Sequence, residues 1–406
     1  MLRRDALKLL AATPAAAIAG TPGGSFVFKA RGISGMFGGG ERLAFMNADG
    51  NGLRVYDFGR PNHTGWGAYD FFRDGRRALL LSIEMDEDWK TKPFTVFYPK
   101  SRTHIWICDL PTGRLTEIAR KNRIAPFYAP CALLPDEERM LVGVNFGGRE
   151  QLFSMDLDGT RAHAITKPDE YVYGVSVSPD GARIAFHADY NIHTARIDGS
   201  NRVAVAGRKG YIYFGTSWSP DSRWVLFQVC EPKTDPGHDW SDIWIGRPDG
   251  SMNRQLTQGE SAWFASSFGR PDNPGDGSIM PRWAPDGSGI LYARRLANSK
   301  VPWEFQPNRP DTNHFNRDFK PELARGGTQI CFLNPEDGSS TPLTQSDPPQ
   351  WDFRPDWSRD SKRILFCRAK TGENPAIWVM DRDGKHQRRL TGGINGNGAD
   401  FPRWVG

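Results

Sequence analysis

A short turn sequence recurs along the chain, and it restricts the possible folds more than any other feature. Four copies are Val177-Ser178-Pro179-Asp180-Gly181, Trp218-Ser219-Pro220-Asp221-Ser222, Trp283-Ala284-Pro285-Asp286-Gly287 and Trp357-Ser358-Arg359-Asp360-Ser361. In such a turn Pro presets φ, Asp bonds the backbone two residues on, and Gly takes a positive φ. Each copy is followed by an apolar run and then by a second tight turn, as at Asp381-Arg382-Asp383-Gly384. Each repeat therefore contains four short strands.

A repeat of roughly 40 residues with four strands per unit is typical of a β-propeller. Six complete units begin near Gly67, Ala129, Gly174, Gly215, Met280 and Pro355. A seventh starts at Phe401-Pro402-Arg403-Trp404 and takes its other strands from residues 41–45 and 53–56. The sequence predicts an all-β, seven-bladed β-propeller of four-stranded antiparallel blades, closed by N- and C-terminal strands that share one blade, with six or eight blades as the alternatives.

The N-terminal segment 1–20 differs from the repeats. Arg3 and Arg4 precede an Ala-rich stretch, and Ala17-Ile18-Ala19 offers a small-residue cleavage site. This pattern is typical of a twin-arginine-like export signal, with a plain secretory signal or an uncleaved anchor as alternatives. We expect a signal peptide at 1–20, a single propeller domain at 26–406, a periplasmic or secreted location and no membrane span in the mature chain.

Charge and cysteine usage exclude some classes of function. The net charge is +5, and it is +3 without the segment 1–20, which carries three basic side chains and one acidic one. This dispersed charge does not indicate nucleic-acid binding. The five cysteines have no CxxC spacing, so we expect small buried apolar side chains. The chain also has no G-x-S-x-G motif of a serine hydrolase.

The two tight turns of each unit must share one face of the propeller, because successive connections in an antiparallel sheet alternate between its ends. The opposite face then carries the longer connections, at 59–66, 187–192, 231–242, 261–279, 296–327 and 347–353. Long loops on a rigid scaffold are where binding and catalytic residues concentrate. We therefore expect the functional site on this second face.

Histidine and aromatic side chains near these connections supply the candidate site residues. Candidate catalytic residues are His238, His187, His63 and Tyr213. Aromatic rings pack against the C–H faces of sugars, so candidate substrate-binding residues include Trp240, Tyr173, Trp263 and Trp351. A divalent metal, Mn or Ca, could be held by His238, Asp239 and His314, although no cofactor is certain. The structural alternative is that these side chains cap and pack their own loops.

Charged residues of alternating sign occupy one equivalent position in four consecutive units. They are Arg282, Asp356, Arg403 and Asp70 in blade order. Inner strands line a propeller's channel, so this pattern predicts a chain of ion pairs between blades. Alternatively, Arg282, Arg403 or the nearby Arg354 binds an anionic ligand through its guanidinium fork. Both interpretations hold if the pairs are incomplete.

Two family resemblances follow from these motifs. The repeated turn sequences resemble the propeller domain of the Tol-system periplasmic protein over most of residues 67–406, which implies the fold but not the function. A narrower stretch, Leu226-Phe227-Gln228-Val229-Cys230-Glu231-Pro232 with Ser241-Asp242-Ile243-Trp244-Ile245, is similar to oligogalacturonate lyases and related polysaccharide lyases. In that family a His stands just before the Glu and serves the chemistry, whereas Cys230 stands here.

The favoured function is a lyase that cleaves uronate-containing glycans by β-elimination. Such a reaction needs a cation at the substrate carboxylate, a base for the C5 proton and an acid for the leaving oxygen. Arg354, Arg282 or a metal could fill the first role; a histidine, His238, His187 or His63, the second; and Tyr213 or Tyr173 the third.

The alternative function is a non-catalytic Tol-like propeller that binds a protein or glycan partner in the cell envelope. It predicts rim aromatics without convergent histidines and arginines. A propeller glycoside hydrolase is a third possibility and would need two facing carboxylates. The expected partner is thus an acidic oligosaccharide or polysaccharide, or else an envelope protein.

Overall fold

A computed structural model describes residues 24–30, 42–85, 101–120, 124, 131–146, 149–168, 170–230, 240–262, 279–305, 317–392 and 398–405. These ranges form 31 β-strands and one short 3-10 helix, Pro321–Leu323. The strands form a propeller-like arrangement of antiparallel sheets, so the all-β prediction is confirmed. In the same ranges no helix has the length and apolar character needed to cross a membrane.

Four sheets contain four strands each. The terminal sheet consists of β1 (Ser25–Ala30), β2 (Arg42–Asn47), β3 (Arg54–Val55) and β31 (Ala399–Val405). The second sheet consists of β4 (His63–Phe71), β5 (Arg77–Glu84), β6 (Arg102–Asp109) and β7 (Arg114–Ile118). The third sheet consists of β8 (Cys131–Leu133), β9 (Arg139–Phe146), β10 (Arg149–Asp156) and β11 (His163–Ala164). The fourth sheet consists of β12 (Val172–Val177), β13 (Arg183–Ala188), β14 (Asn191–Arg196) and β15 (Val203–Ala206).

The remaining strands form one large sheet and one hairpin. The large sheet has 13 strands: β16 (Ile212–Trp218), β17 (Val225–Cys230), β18 (Trp240–Gly246), β19 (Asn253–Gln255), β20 (Ser261–Ala262), β21 (Arg282–Trp283), β22 (Ile290–Arg295), β25 (Thr328–Leu333), β26 (Ser340–Pro342), β27 (Gln350–Trp357), β28 (Arg363–Lys370), β29 (Ala376–Asp381) and β30 (Arg388–Arg389). The two-stranded hairpin consists of β23 (Trp303–Phe305) and β24 (Arg317–Phe319).

The blade count therefore differs from the sequence prediction: the described residues show four separate four-stranded sheets, not seven. The difference arises because the short strand β20 pairs with both β18 and β22. A single parallel bridge, Thr328 to Trp351, then joins β25 to β27. Inside the large sheet, β16–β19, β21 with β22, β25 and β26, and β27–β30 each repeat the four-strand order.

The two ends of the chain meet in the terminal sheet, as the sequence predicts. β31 pairs antiparallel with β1, for example Val27 with Arg403 and Lys29 with Asp400. The strand β1 itself was not predicted, because the strand pattern recognised in the sequence begins only at position 41. It lies between β2 and β31, so it joins the N-terminal strands to the last strand of the chain. This pairing holds strands from both ends of the described chain in one sheet.

The core lies between neighbouring sheets. Leu43 and Phe45 of the terminal sheet pack with Leu80 and Trp106 of the second sheet. The other side of the second sheet packs with the third, through Leu79, Leu81, Met140 and Val142. Each fully buried side chain of this kind stabilises the fold by about 1.5–3 kcal/mol. The five cysteines are all buried, as predicted.

The recurring turns have the predicted chemistry. At Ser178 to Arg183, the Ser178 hydroxyl donates to the Asp180 carboxylate at 2.6 Å, and the Ala182 N–H donates to the same oxygen at 3.0 Å. One predicted long connection is absent, however. β13 and β14 are joined by Asp189 and Tyr190 alone, both with positive φ, so residues 187–192 form a tight hairpin.

Candidate ligand site in the channel

A pocket of about 230 Å³ lies where β1 meets the inner strands β4, β21, β27 and β31. Its lining contains four cationic side chains: Lys29, Arg282, Arg354 and Arg403. Tyr69 and Phe401 line it as well. The three arginines that the sequence nominated for ligand binding therefore come together in one cavity.

The pocket lies at irregular points of two inner strands. Gly174, Gly215, Arg354 and Phe401 occupy equivalent places, two residues before the channel position of their strands, and all four have φ between 50° and 71°. The neighbouring strand pairing shifts register at each of them. Glycine adopts this conformation freely, but a bulky residue is strained there. Strain of this kind concentrates at ligand sites, and the two strained side chains, Arg354 and Phe401, both line the pocket.

Arg354 forms a rigid part of the pocket wall. Its guanidinium donates a short hydrogen bond to Asp400, whose side chain is fully buried. It also lies over the Phe401 ring, 3.4 Å from the ring centroid. Asp400 further accepts from the Phe401 N–H at 2.7 Å. This arginine is therefore neutralised within the fold.

Arg282 and Arg403 are neutralised less completely. Their Nε atoms lie 3.7 and 3.9 Å from different oxygens of Asp356, so one carboxylate faces two guanidinium groups. Neither guanidinium donates a hydrogen bond to any residue in the described ranges. About a third of each side chain is exposed, 34% for Arg282 and 32% for Arg403. Partial burial and the charge of Arg403 lower the pKa of Arg282 to about 10, against the opposing effect of Asp356.

The predicted chain of ion pairs is thus present but incomplete. It runs from Arg282 through Asp356 to Arg403, and no ion pair with Asp70 continues it among the described residues. Asp70 instead accepts backbone hydrogen bonds from Leu133 and Phe71, both at 2.9 Å. Burial raises the pKa of Asp70, although both hydrogen bonds act to lower it. An anionic ligand would meet cations that the protein itself leaves partly uncompensated.

His63 belongs to a different group, on the face of the second sheet that packs towards the terminal sheet. Its Nδ1 lies 2.8 Å from the Ser82 hydroxyl, and its ring centroid lies 4.9 Å from that of His104. The Nε2 of His104 lies 3.0 Å from the carboxylate of Glu84. Burial, and next the proximity of His104, lower the pKa of His63 to about 4. None of these side chains lines the channel pocket.

Two more candidate catalytic residues lie in the fourth and large sheets. His187 is fully buried in β13 rather than exposed on a loop, and its ring contacts Tyr171 and Tyr190. Burial raises the pKa of Tyr213, whose ring lies 6.1 Å from that of Phe227. Tyr173 pairs with His187 in the strand register. His187 and Tyr213 thus lie in sheets other than the one that carries His63.

The nominated tryptophans in the described ranges belong to the core. Trp240 is 4% exposed, and Trp351 is fully buried. The Trp351 indole donates to the Thr371 hydroxyl at 3.0 Å. These rings stabilise the large sheet and present no face to a ligand. The remaining nominated residues lie outside the described residues: His238, Asp239, His314 and Trp263.

Three residues of interest were missed from the sequence: Lys29, His104 and Glu84. Lys29 lies on β1, and only the short apolar run within Ser25–Ala30 could have indicated that strand. His104 and Glu84 lie in β6 and β5, whose sequences stand out only for their apolar residues. Glu84 lies at the end of β5 and His104 near the start of β6, next to the connection between these strands. Two polar residues so placed are the signal that could have identified this pair.

Comparison with known proteins finds the same fold in proteins of different function. No family model matches the chain. It is similar to a TolB homolog from Chlorobium luteolum, 24% identical over 272 residues, covering 64% of this chain and 54% of that protein. The chain thus spans about half the length of that curated relative. A Mycobacterium tuberculosis puromycin-hydrolyzing peptidase aligns with a TM-score of 0.56 at 11% identity, over 92% of this chain and 53% of that one.

An oligogalacturonate lyase in complex with manganese aligns with a TM-score of 0.53 at 15% identity, over 90% of this chain and 85% of that one. At such low identity the structural likenesses establish the fold alone. The chain therefore has a propeller-like fold and resembles TolB in sequence.

Proposed function

We propose that the chain is a TolB-like binding propeller whose channel pocket takes the carboxylate-bearing end of an acidic oligosaccharide. One observation carries this proposal: Arg282 and Arg403 share the single carboxylate of Asp356 at 3.7 and 3.9 Å. A ligand carboxylate can accept paired hydrogen bonds from a guanidinium fork, which Asp356 does not provide at these distances. The ligand would supply the missing negative charge.

The pocket volume favours the end of a ligand over an extended segment. The cavity is about 230 Å³, below the range of about 300–1,000 Å³ that is usual for drug-sized ligands. One sugar ring with its carboxylate suits this size. The neighbouring Tyr69 supplies an aromatic ring and a hydroxyl for a sugar.

A uronate lyase is the second candidate function. The same two arginines would neutralise the substrate carboxylate and so acidify the C5 proton. The sequence similarity of residues 226–245 to oligogalacturonate lyases also favours it. Against it, no histidine is among the residues that line the described pocket, and Cys230 is buried in the core. Lys29 and Tyr69 are the lining groups that could transfer a proton.

The test is calorimetric titration of the full chain with di- and trigalacturonate, and with neutral galactose oligomers of the same length. We expect binding of the acidic sugars alone, weakened at least tenfold in Arg282→Gln and in Arg403→Gln. Arg359→Gln is the matched control, because Arg359 is exposed on a turn. Equal binding of the neutral sugars, or unchanged binding in both pocket variants, contradicts the proposal.

Absorbance near 235 nm in the same samples separates the two functions. A rise reports the new C4–C5 double bond and establishes a lyase. A flat trace with binding retained supports the binding propeller. Binding of an acidic peptide in place of the sugars would identify a protein partner and overturn the choice of a glycan.

Two further parts of this proposal concern architecture and location. The three four-stranded groups within the large sheet would act as three blades, which gives seven with the four separate sheets. The twin-arginine-like leader would export the chain to the periplasm. A crystal structure tests the blade count, and N-terminal sequencing of the protein from a periplasmic fraction tests the leader.

A further inference from the structure

A group of side chains on the second sheet has the composition of a metal site. His63, Glu84 and His104 each offer one ligand atom, and these atoms lie within 4.8 Å of one another. We propose that they bind one transition-metal dication, Zn²⁺ in the first place. This site is separate from the channel pocket and uses none of the metal ligands nominated from the sequence.

The strand register brings the three residues together. His63 of β4 pairs directly with Glu84 of β5, and Ser82 of β5 pairs with His104 of β6. Residues two apart on a strand share a face, so all four side chains lie on the same side of the sheet. Ligands on three adjacent strands of one sheet are held by a rigid backbone, without help from a loop.

Each imidazole is oriented by a partner on its other nitrogen. His104 Nδ1 lies 2.7 Å from the Glu117 carboxylate, so Nδ1–H can donate to Glu117 while Nε2, which faces Glu84, is the nitrogen that would bind the ion. His63 Nδ1 lies 2.8 Å from the Ser82 oxygen, which already accepts the indole N–H of Trp106 at 2.9 Å. In the tautomer in which His63 Nδ1–H donates to that oxygen as well, Nε2 keeps its lone pair for the ion. Metal-binding histidines are usually fixed by second partners of this kind.

One pair of the ligand atoms is already spaced for a metal. His104 Nε2 and the nearer Glu84 oxygen are 3.0 Å apart. Two ligands about 2.0–2.2 Å from one ion, at angles between square and tetrahedral, lie about 3.0–3.5 Å apart. A cation between these two atoms therefore replaces the shared proton without a change of rotamer.

The donor set selects the class of metal. Two imidazole nitrogens and one carboxylate oxygen suit Zn²⁺ and its neighbours Co²⁺, Ni²⁺ and Cu²⁺. Ca²⁺ and Mg²⁺ prefer sites made of oxygen ligands alone. The cluster is also reachable, because 20% of the His104 side chain and 43% of the Glu84 side chain are exposed. An ion could therefore exchange with solvent.

The experiment uses Co²⁺ and Zn²⁺ with the full-length protein after treatment with a chelator. We expect one Co²⁺ per chain with visible ligand-field absorption, displacement by Zn²⁺ and a raised thermal midpoint with either ion. His104→Gln should weaken binding at least 100-fold. Glu117→Gln, which removes an orienting partner, should weaken it about 10–100-fold.

His386→Gln is the matched control. His386 also has a carboxylate partner, Asp381 at 2.6 Å, but it is exposed and lacks a second imidazole. Its loss should leave metal affinity unchanged. Absence of Co²⁺ binding by the wild type at millimolar concentration, or full affinity in His104→Gln, overturns the proposal. If His104→Gln does not fold, X-ray absorption on the wild-type Co²⁺ complex decides, and a spectrum without two imidazoles overturns the site.

Discussion

Arg368, on one side, and Arg282 with Arg403, on the other, are neutralised by their carboxylates in different ways. Arg368 donates two hydrogen bonds to the fully buried Asp352, at 2.6 and 2.8 Å. Arg282 and Arg403 instead share Asp356 at 3.7 and 3.9 Å, with about a third of each side chain exposed. Arg368 and Asp352 form a closed pair, in which the two charged groups bond directly to each other. Arg282 and Arg403 form an open group, whose guanidinium N–H donors remain available beside the cavity.

The difference indicates which charges stabilise the fold and which serve a ligand. A closed buried pair holds the structure, because removing one partner leaves an uncompensated charge away from water. An open group contributes less to folding, since solvent already screens it. It can hold an anion better, since its hydrogen-bond donors remain available. Changes to each group should therefore separate stability from binding.

The largest expected effect comes from opening the closed pair. Asp352→Asn removes the charge opposite Arg368 and should lower the free energy of unfolding by about 3–5 kcal/mol. Urea denaturation measures it, with Asp383→Asn as the control. Asp383 pairs with Lys385 at 2.8 Å in an exposed turn, where solvent screens the charges, so its loss should have little effect on stability. Equal effects of the two changes would contradict the distinction between a buried ion pair and an exposed one.

A half-buried histidine, His193, extends the comparison, because it can lose its charge where an arginine cannot. Burial, and next the nearby Arg202, lower the pKa of His193 to about 4 from 6.5. Above pH 6.5 the ring is neutral in both the folded and the unfolded state, so it has no effect on stability. As the pH falls from 6.5 to 4, only the unfolded state takes up a proton, and the fold loses on the order of 2 kcal/mol.

The difference between wild type and His193→Gln measures this loss. Urea denaturation at pH 7 and at pH 4.5 should show a smaller pH effect in the variant, because titrating carboxylates are common to both proteins. An identical pH dependence would mean that the histidine is protonated in the fold.

The open group should respond to Asp356→Asn in the opposite sense from the closed pair. The amide oxygen can still accept the Trp404 N–H, which now lies 2.9 Å from the Asp356 carboxylate. Removal of the competing negative charge should raise the affinity for galacturonate oligomers about tenfold, equivalent to about 1.4 kcal/mol. Titration calorimetry measures it, and an affinity that falls would mean that Asp356 itself contacts the ligand.

Local chemistry made much of the fold predictable. The turns are built from side chains that bond to backbone atoms two to five residues away, such as Asp180 with the Ala182 N–H and Ser178 with the Arg183 N–H. The repeat pattern alone also places Arg282, Asp356 and Arg403 at one equivalent position of the channel. By contrast, β1 pairs with β31 at the opposite end of the chain, and no local pattern indicates that pairing.

The candidate sites were less predictable because burial and register decide them. Trp240 and Trp351 are of a residue type that packs against sugar rings, but both are buried in the core. His63 and His104 are distant in the sequence and meet only through the register of β4, β5 and β6. The three four-strand groups of the large sheet are joined to one another through the two residues of β20 and through the bridge between Thr328 and Trp351. Such details follow from tertiary contacts, not from the repeat.

The smallest expected effects concern the equivalent positive-φ positions of the inner strands, of which Arg354 and Phe401 line the pocket. In Gly174→Ala the new methyl group would have room, with the nearest atom 4.0 Å away, so backbone strain alone should cost about 1 kcal/mol. Phe401→Gly should release strain of that size but lose the ring beneath Arg354, with little net change in stability. Only the second change should weaken anion binding, by a few-fold, because it removes the support of the pocket wall. Weaker binding in Gly174→Ala would instead mean that the whole ring of inner strands, and not one strained pair, sets the geometry of the site.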